Sequence, residues 1–258
     1  MVRRARRFPP WQPILSEFVG TFLLVGLGVG VVILDFGKGS PVLRLLPDPG
    51  LRRLVTGFIF GSVGGLIAVS PVGKASGAHI NPVVTFAFRL EGKLSTGQAL
   101  AYVSAQMLGA AAGGLALLPW GTVGSSIQYG GTFPGPGWTP WEAALGEAAA
   151  TFGLIAGLFF FLGRKKLRRF TPLLFPFLYA VMVWLEAPLS GTSTNPARSF
   201  GPSLVSGDWR SWWVYWAGPV AGTLAALAVH RRHLLGRLEV EVAKLYHFEH
   251  DPHGIFRA

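Results

Sequence analysis

A chain of 258 residues with 50% hydrophobic residues, 14% charged residues and 35 glycines departs from soluble domains, in which about 25% of residues are charged. The formal net charge of +11 would fit nucleic acid if it coated a polar surface, but the basic residues bracket long apolar runs, so a soluble nucleic-acid binder is excluded and a membrane is implied. With no cysteine, a disulfide framework and a thiolate metal site are excluded as well.

In chain order, a basic arm at 1–13 leads into an apolar run at 14–34. No compact apolar stretch ending at a small-residue cleavage site follows the arm, so the run reads as a retained span and not as a signal. Further spans are predicted at 52–70, 97–118, 142–163, 171–189 and 211–230, near the roughly 17–25 residues that a bilayer helix needs. Shorter apolar pieces at 82–91 and 196–204 follow Asn81 and Asn195. Most of the 23 Lys and Arg lie in the arm, at Lys74, Arg89 and Lys93, in 164–169 and after 230, whereas the loop at 119–140 has none. The positive-inside rule then puts both termini in the cytoplasm, in a multi-pass protein of the cell (inner or plasma) membrane. Anionic lipid headgroups are sufficient partners for the arginines. The cytoplasmic tail, 231–258, carries a segment, LLGRLEVEVAKLYHF, that reads as a short amphipathic helix at the membrane surface.

The chain says nearly the same thing twice. SGAHINPVVTF at 76–86 returns as SGTSTNPARSF at 190–200, Glu17 early in one span matches Glu147 early in another, and Gly109/Gly113 match Gly218/Gly222. The repeats are 14–118 and 141–230, each with three spans and one short helix. Three crossings are odd, so the second half enters from the opposite side, as in inverted repeats that meet near the midplane.

Proline suits the first helical position because its missing N–H has no partner there, and the preceding asparagine caps the next amides. The two Asn-Pro pieces therefore read as re-entrant half-helices starting at the membrane centre, with strand-like approaches at 73–80 and 191–194. Irregular backbone is tolerated at that depth only inside protein or along a wet cavity, so two such stretches imply a water-filled passage. An arginine at membrane depth faces the interior or a water path, and only the second half carries one, Arg198. Glu17 and Glu147 read as structural acceptors for the loop amides, with His79 and Gln106 as braces. No nucleophile–base pair or metal-ligand spacing is visible, so neither an enzyme nor a cofactor is expected. A secondary transporter shares the broken helices but needs a coupling-ion site. A structural membrane-junction protein is a further alternative.

The set NPARSFGP at 195–202, SGAHINP at 76–82, Glu17, Glu147, Gln106 and WAGP at 216–219 resembles the aquaporin (major intrinsic protein) family over most of the chain. The resemblance implies an all-α, right-handed bundle of six transmembrane helices plus two half-membrane helices. It also implies a homotetramer with one pore per subunit, passing water or small neutral solutes and refusing ions and protons. The pore midpoint would be Asn81, Pro82, Val83, Asn195, Pro196 and Ala197, with Val83 in place of the usual alanine. The family's four-residue constriction would fall on Gly61, Val183, Thr192 and Arg198. Water-only relatives have an aromatic and a histidine where Gly61 and Val183 stand, which implies a wider, less polar mouth. Ser199 and Tyr215–Trp216 follow the water-channel pattern. The combined expectation is a prokaryotic-type water channel with an atypical wide filter, the alternative being a wide-pore facilitator for glycerol, urea or ammonia.

Overall fold

The computed structural model describes residues 11–232. The first ten residues of the arm and the amphipathic tail segment lie outside the described residues. In chain order the elements that matter are α1 (Trp11–Phe36), α2 (Pro49–Val69), α3 (Pro71–Ser76), α4 (Pro82–Leu90) and α5 (Thr96–Leu115). The second half follows with α6 (Pro140–Leu162), α7 (Thr171–Ser190), α8 (Pro196–Ser206) and α9 (Val214–Arg231). Among the described residues, five helices are long and apolar enough to cross a membrane. The sixth, α9, is 18 residues long and lies along α6. The result is an all-α membrane bundle of two inverted halves, as the sequence predicts.

Glycine sets how closely the long helices pack, because small residues let backbones approach where no hydrophobic effect drives helices together. The repeated pairs do this in both halves. A Cβ at Gly109 or Gly113 would strike main-chain atoms of Phe18 or Phe22 on α1, and one at Gly218 or Gly222 would strike Ala144 or Ala148 on α6. A third stripe, Gly57, Gly61 and Gly65, seats α2 on the α7 main chain at Tyr179, Phe175 and Pro172.

Three local features depart from uniform helices. The approach at 73–80 is not strand-like throughout: Ser70 caps α3 by accepting from Gly73 N at 3.4 Å, and Pro71 occupies its first turn. This Ser-Pro pair is a helix start, and the helical turn ends only at Gly77, at φ 89°. Within α1, residues Leu24–Val29 form a π-bulge. Gly28 in that bulge leaves room for the Phe60 ring, which a Cβ there would approach to 2.8 Å. Pro188 inside α7 has no N–H for the Trp184 carbonyl, and Arg53 Nε donates to that carbonyl at 3.4 Å.

Outward faces carry exposed Leu27, Phe58, Leu66, Leu108, Leu145, Phe177 and Leu185, the composition expected of surfaces that meet lipid or another subunit. Exposed Trp138, Trp141, Trp209 and Trp212 cluster at the chain reversals before α6 and α9, where amphipathic rings sit at membrane–water interfaces.

Candidate functional site

Each half builds its half-helix by the same means. Asn81 (φ −157°) and Asn195 (φ −149°) are extended N-caps, with Pro82 and Pro196 in the first turn. Asn81 Oδ1 accepts from Val83 N and Asn195 Oδ1 from Ala197 N, both at 3.0 Å. Their amide nitrogens cross to the other half: Asn81 Nδ2 donates to the Thr194 carbonyl and Asn195 Nδ2 to the Ile80 carbonyl, both at 2.9 Å. The match between halves also shows that buried Val83 does not pull Asn81 out of register.

The loops leading to the asparagines hold non-glycine residues in the left-handed region: Ala78 (φ 55°) and Ile80 (φ 42°) in one half, Thr192 (φ 50°) and Thr194 (φ 52°) in the other. Each costs about 1–3 kcal/mol, and a fully buried glutamate offsets that cost in each half. Glu17 accepts from His79 N at 2.9 Å and Ile80 N at 2.6 Å. Glu147 accepts from Ser193 N at 2.6 Å, Thr194 N at 2.7 Å and Ser190 Oγ at 2.6 Å. Tyr102 and Tyr215 donate to the carbonyls of Ser76 and Ser190 at 2.9 and 2.8 Å.

Gln106 Nε2 donates to Glu17 at 2.7 Å and to Thr85 Oγ1 at 2.9 Å. His79 lies 3.2 Å from Thr85 Oγ1 through Nδ1 and stacks on Phe88 at 4.8 Å. The corresponding hydroxyl in the second half, Ser199, bonds Thr132 at 2.7 Å and Ser193 at 2.5 Å.

Two cavities lie along the line of the half-helices. The central one, about 40 Å³, is lined by both asparagines, His79, Ile80, Val84 and Gly61, among others. A site needs roughly 10–15 Å³ to hold one water, so it has room for a few. The second, about 250 Å³, lies on the Arg198 side, with Thr56, Val183, Gly191, Thr192 and Arg198 in its wall. Arg198 is buried, and its Nη1 donates to the Gly130 carbonyl at 2.7 Å. The glycine-rich loop before α6 thus contributes the group that aims the arginine.

The structure brings Val183, Thr192 and Arg198 together but does not bring Gly61 to them. Gly61 packs under the Phe175 carbonyl in the α2–α7 crossing and lines the central cavity. Arg53, Thr56 and Phe60 are the α2 residues in the wall of the Arg198-side cavity, and Phe60 is the one next to Gly61. The physical reason lies in α3: counting back from Asn81 passes through a helical turn, which advances the chain about 1.5 Å per residue against about 3.3 Å when extended, so the register on α2 moves.

Two further residues escape sequence reading. Tyr179 lines both cavities and bonds Thr194 Oγ1 at 2.9 Å; a lone aromatic in an apolar span gives no signal of this. Glu186 accepts the Thr192 hydroxyl at 2.5 Å. An ionisable residue inside a span is by itself a pointer to a site, and that signal was visible.

Fold and site define a multi-pass membrane protein in which two inverted halves meet at paired Asn-Pro half-helices beside a largely apolar cavity that both asparagines help to line. Comparison with known proteins gives this class its family. The Major intrinsic protein family profile matches residues 4–230, and the chain belongs to that family of non-catalytic, passive channels for water and small solutes. It is 35% identical over 224 residues to Aquaporin TIP4-3 of Zea mays, covering 85% of this chain and 86% of that one. It is 36% identical over 217 residues to Probable aquaporin TIP2-2 of Arabidopsis thaliana, covering 83% and 84%. These relatives are plant proteins and lend no support to the prokaryotic type expected from sequence. In fold, the chain is similar to the aquaglyceroporin from Plasmodium falciparum, with a TM-score of 0.69 at 21% identity over 85% of this chain and 95% of that one.

Proposed function

We propose that this protein is a passive facilitator for small uncharged solutes, ammonia and urea among them, which also conducts water and refuses ions and protons. The observation that carries this reading is the Arg198-side cavity of about 250 Å³, bounded by Val183, Thr192 and buried Arg198, with Arg53 also in its wall. A water-only mouth calls for a narrow ring of donors. Here Val183 has none, and the Thr192 hydroxyl is already given to Glu186.

The selectivity filter in this reading is Phe60, Val183, Thr192 and Arg198, with Phe60 replacing Gly61. Asn81 and Asn195, each with one amide hydrogen committed to the opposite loop, offer the other to the oxygen of a passing molecule. Two helix N-termini, each carrying about half an elementary charge, face each other there and repel protons and cations. Arg198, charged at any physiological pH, adds a second barrier. Ions fail at the apolar walls because shedding their water in a low-dielectric setting costs tens of kcal/mol.

In the same reading both termini are cytoplasmic, Arg198 faces outward, and the exposed apolar faces pack in a homotetramer surrounded by lipid. The repeats 14–118 and 141–230 each contribute half of one pore. Purified protein in liposomes, tested in parallel with water, ammonia, urea and glycerol, tests the proposal. Water flux with no ammonia or urea flux above empty vesicles would reduce it to a water channel.

A further inference from the structure

The central and Arg198-side cavities have two lining residues in common, Phe60 and Tyr179. Their rings lie 5.4 Å apart between centroids, tilted by 44°. Both side chains are buried, and each is fixed from behind. The Phe60 ring is seated against Gly28 in the α1 bulge, where a Cβ would come within 2.8 Å of it. The Tyr179 hydroxyl bonds Thr194 Oγ1 at 2.9 Å, in the loop that leads to Asn195. The Tyr179 main chain is pressed against Gly57, so α7 has no room to withdraw toward α2.

From this we infer that Tyr179 is a specificity-determining residue. With Phe60 of the filter it forms the aromatic wall past which a solute leaves the wider cavity for the narrower one, and this wall sets the size limit where the two cavities adjoin. The inference rests on the facilitator reading above and refines it. Slim molecules such as water, ammonia and planar urea pass alongside the packed rings, whereas glycerol is admitted to the Arg198-side cavity and held back at the pair. The drop from about 250 to about 40 Å³ across these two residues is the physical basis. Val183, which lines only the wider cavity, has a smaller effect on size selection.

The test is the glycerol-to-water permeability ratio in proteoliposomes of the full chain, for wild type, Tyr179→Phe, Tyr179→Val, Phe60→Leu and Val183→Ala. Tyr179→Val is expected to raise the ratio about tenfold, the order that shape selection by an apolar wall reaches. Tyr179→Phe keeps the ring and is expected to leave the ratio low, which separates ring size from the hydroxyl bond. Phe60→Leu cuts back the other ring of the same wall and decides the matter if Tyr179→Val passes no water. An unchanged ratio in variants that still conduct water, or a larger change in Val183→Ala than in Tyr179→Val, overturns the inference alone. A wild-type protein that passes no water overturns the facilitator reading as well.

Discussion

Val84 and Arg198 occupy the same place in the two halves, three residues after Asn81 and Asn195, and they face different cavities. Val84 lines the central cavity and Arg198 the wider one. The repeat is thus symmetric in backbone and asymmetric in charge at this position, with an arginine in the second half where the first has valine.

Arg198→Val, which copies the first half into the second, is expected to keep water flux and raise proton conductance by about tenfold or more. A unit charge a few ångströms from the path at an effective dielectric of about 20 contributes several kcal/mol, and roughly 1.4 kcal/mol is a factor of ten. Vesicles carrying a pH-sensitive dye under an imposed gradient read the leak. Unchanged conductance would remove Arg198 from the barrier.

Glu147→Gln is expected to be nearly as damaging as Glu147→Ala. The wild-type carboxylate only accepts, from two loop amides and the Ser190 hydroxyl. A glutamine turns an NH₂ toward one of those donors, and each lost bond to a charged acceptor is worth about 1.5–3 kcal/mol. The measurement is the thermal midpoint of purified protein in detergent, with loss of flux alongside. A near-native midpoint would show that the left-handed loop residues hold themselves.

Gly61→Ala and Phe60→Ala should separate cleanly although the residues are neighbours. The first places a Cβ under the Phe175 main chain and is expected to lower stability by about 1–3 kcal/mol, read as a drop in thermal midpoint. The second opens the wall between the cavities and is expected to change permeability ratios. If Gly61→Ala altered selectivity and left the midpoint alone, the placement of α2 would be wrong.

Thr192→Cys gives the chain a single thiol, since it has no cysteine of its own. Wild type should ignore mercurials, and the variant, with the thiol in the wall of the wider cavity, should lose most of its water flux and regain it with reductant. A variant that mercurials leave untouched would place position 192 off the path.

The half-helices, their caps and the supporting glutamates were legible because each is a local signal stated twice: Asn-Pro after Ser-Gly, and one carboxylate early in an otherwise apolar span. The α2 filter position was not, because a residue count cannot know that Pro71–Ser76 coils. Gly61 lines the central cavity and is also a packing surface for α7, which only the Phe175 main chain reveals. Tyr179 and the Gly130 carbonyl act through partners distant in sequence, at Thr194 and Arg198, and no spacing rule reaches across such gaps. Glu186 alone could have been found, as the one acidic residue in α7.

The central claim is that solutes cross a continuous passage formed where Asn81 and Asn195 meet. Stopped-flow water, urea and ammonia flux in proteoliposomes across a range of temperatures and concentrations tests it most directly. A channel gives a low activation energy, flux linear in concentration and no accompanying proton current. Saturation at modest concentration, or flux that follows a proton or sodium gradient, would contradict it.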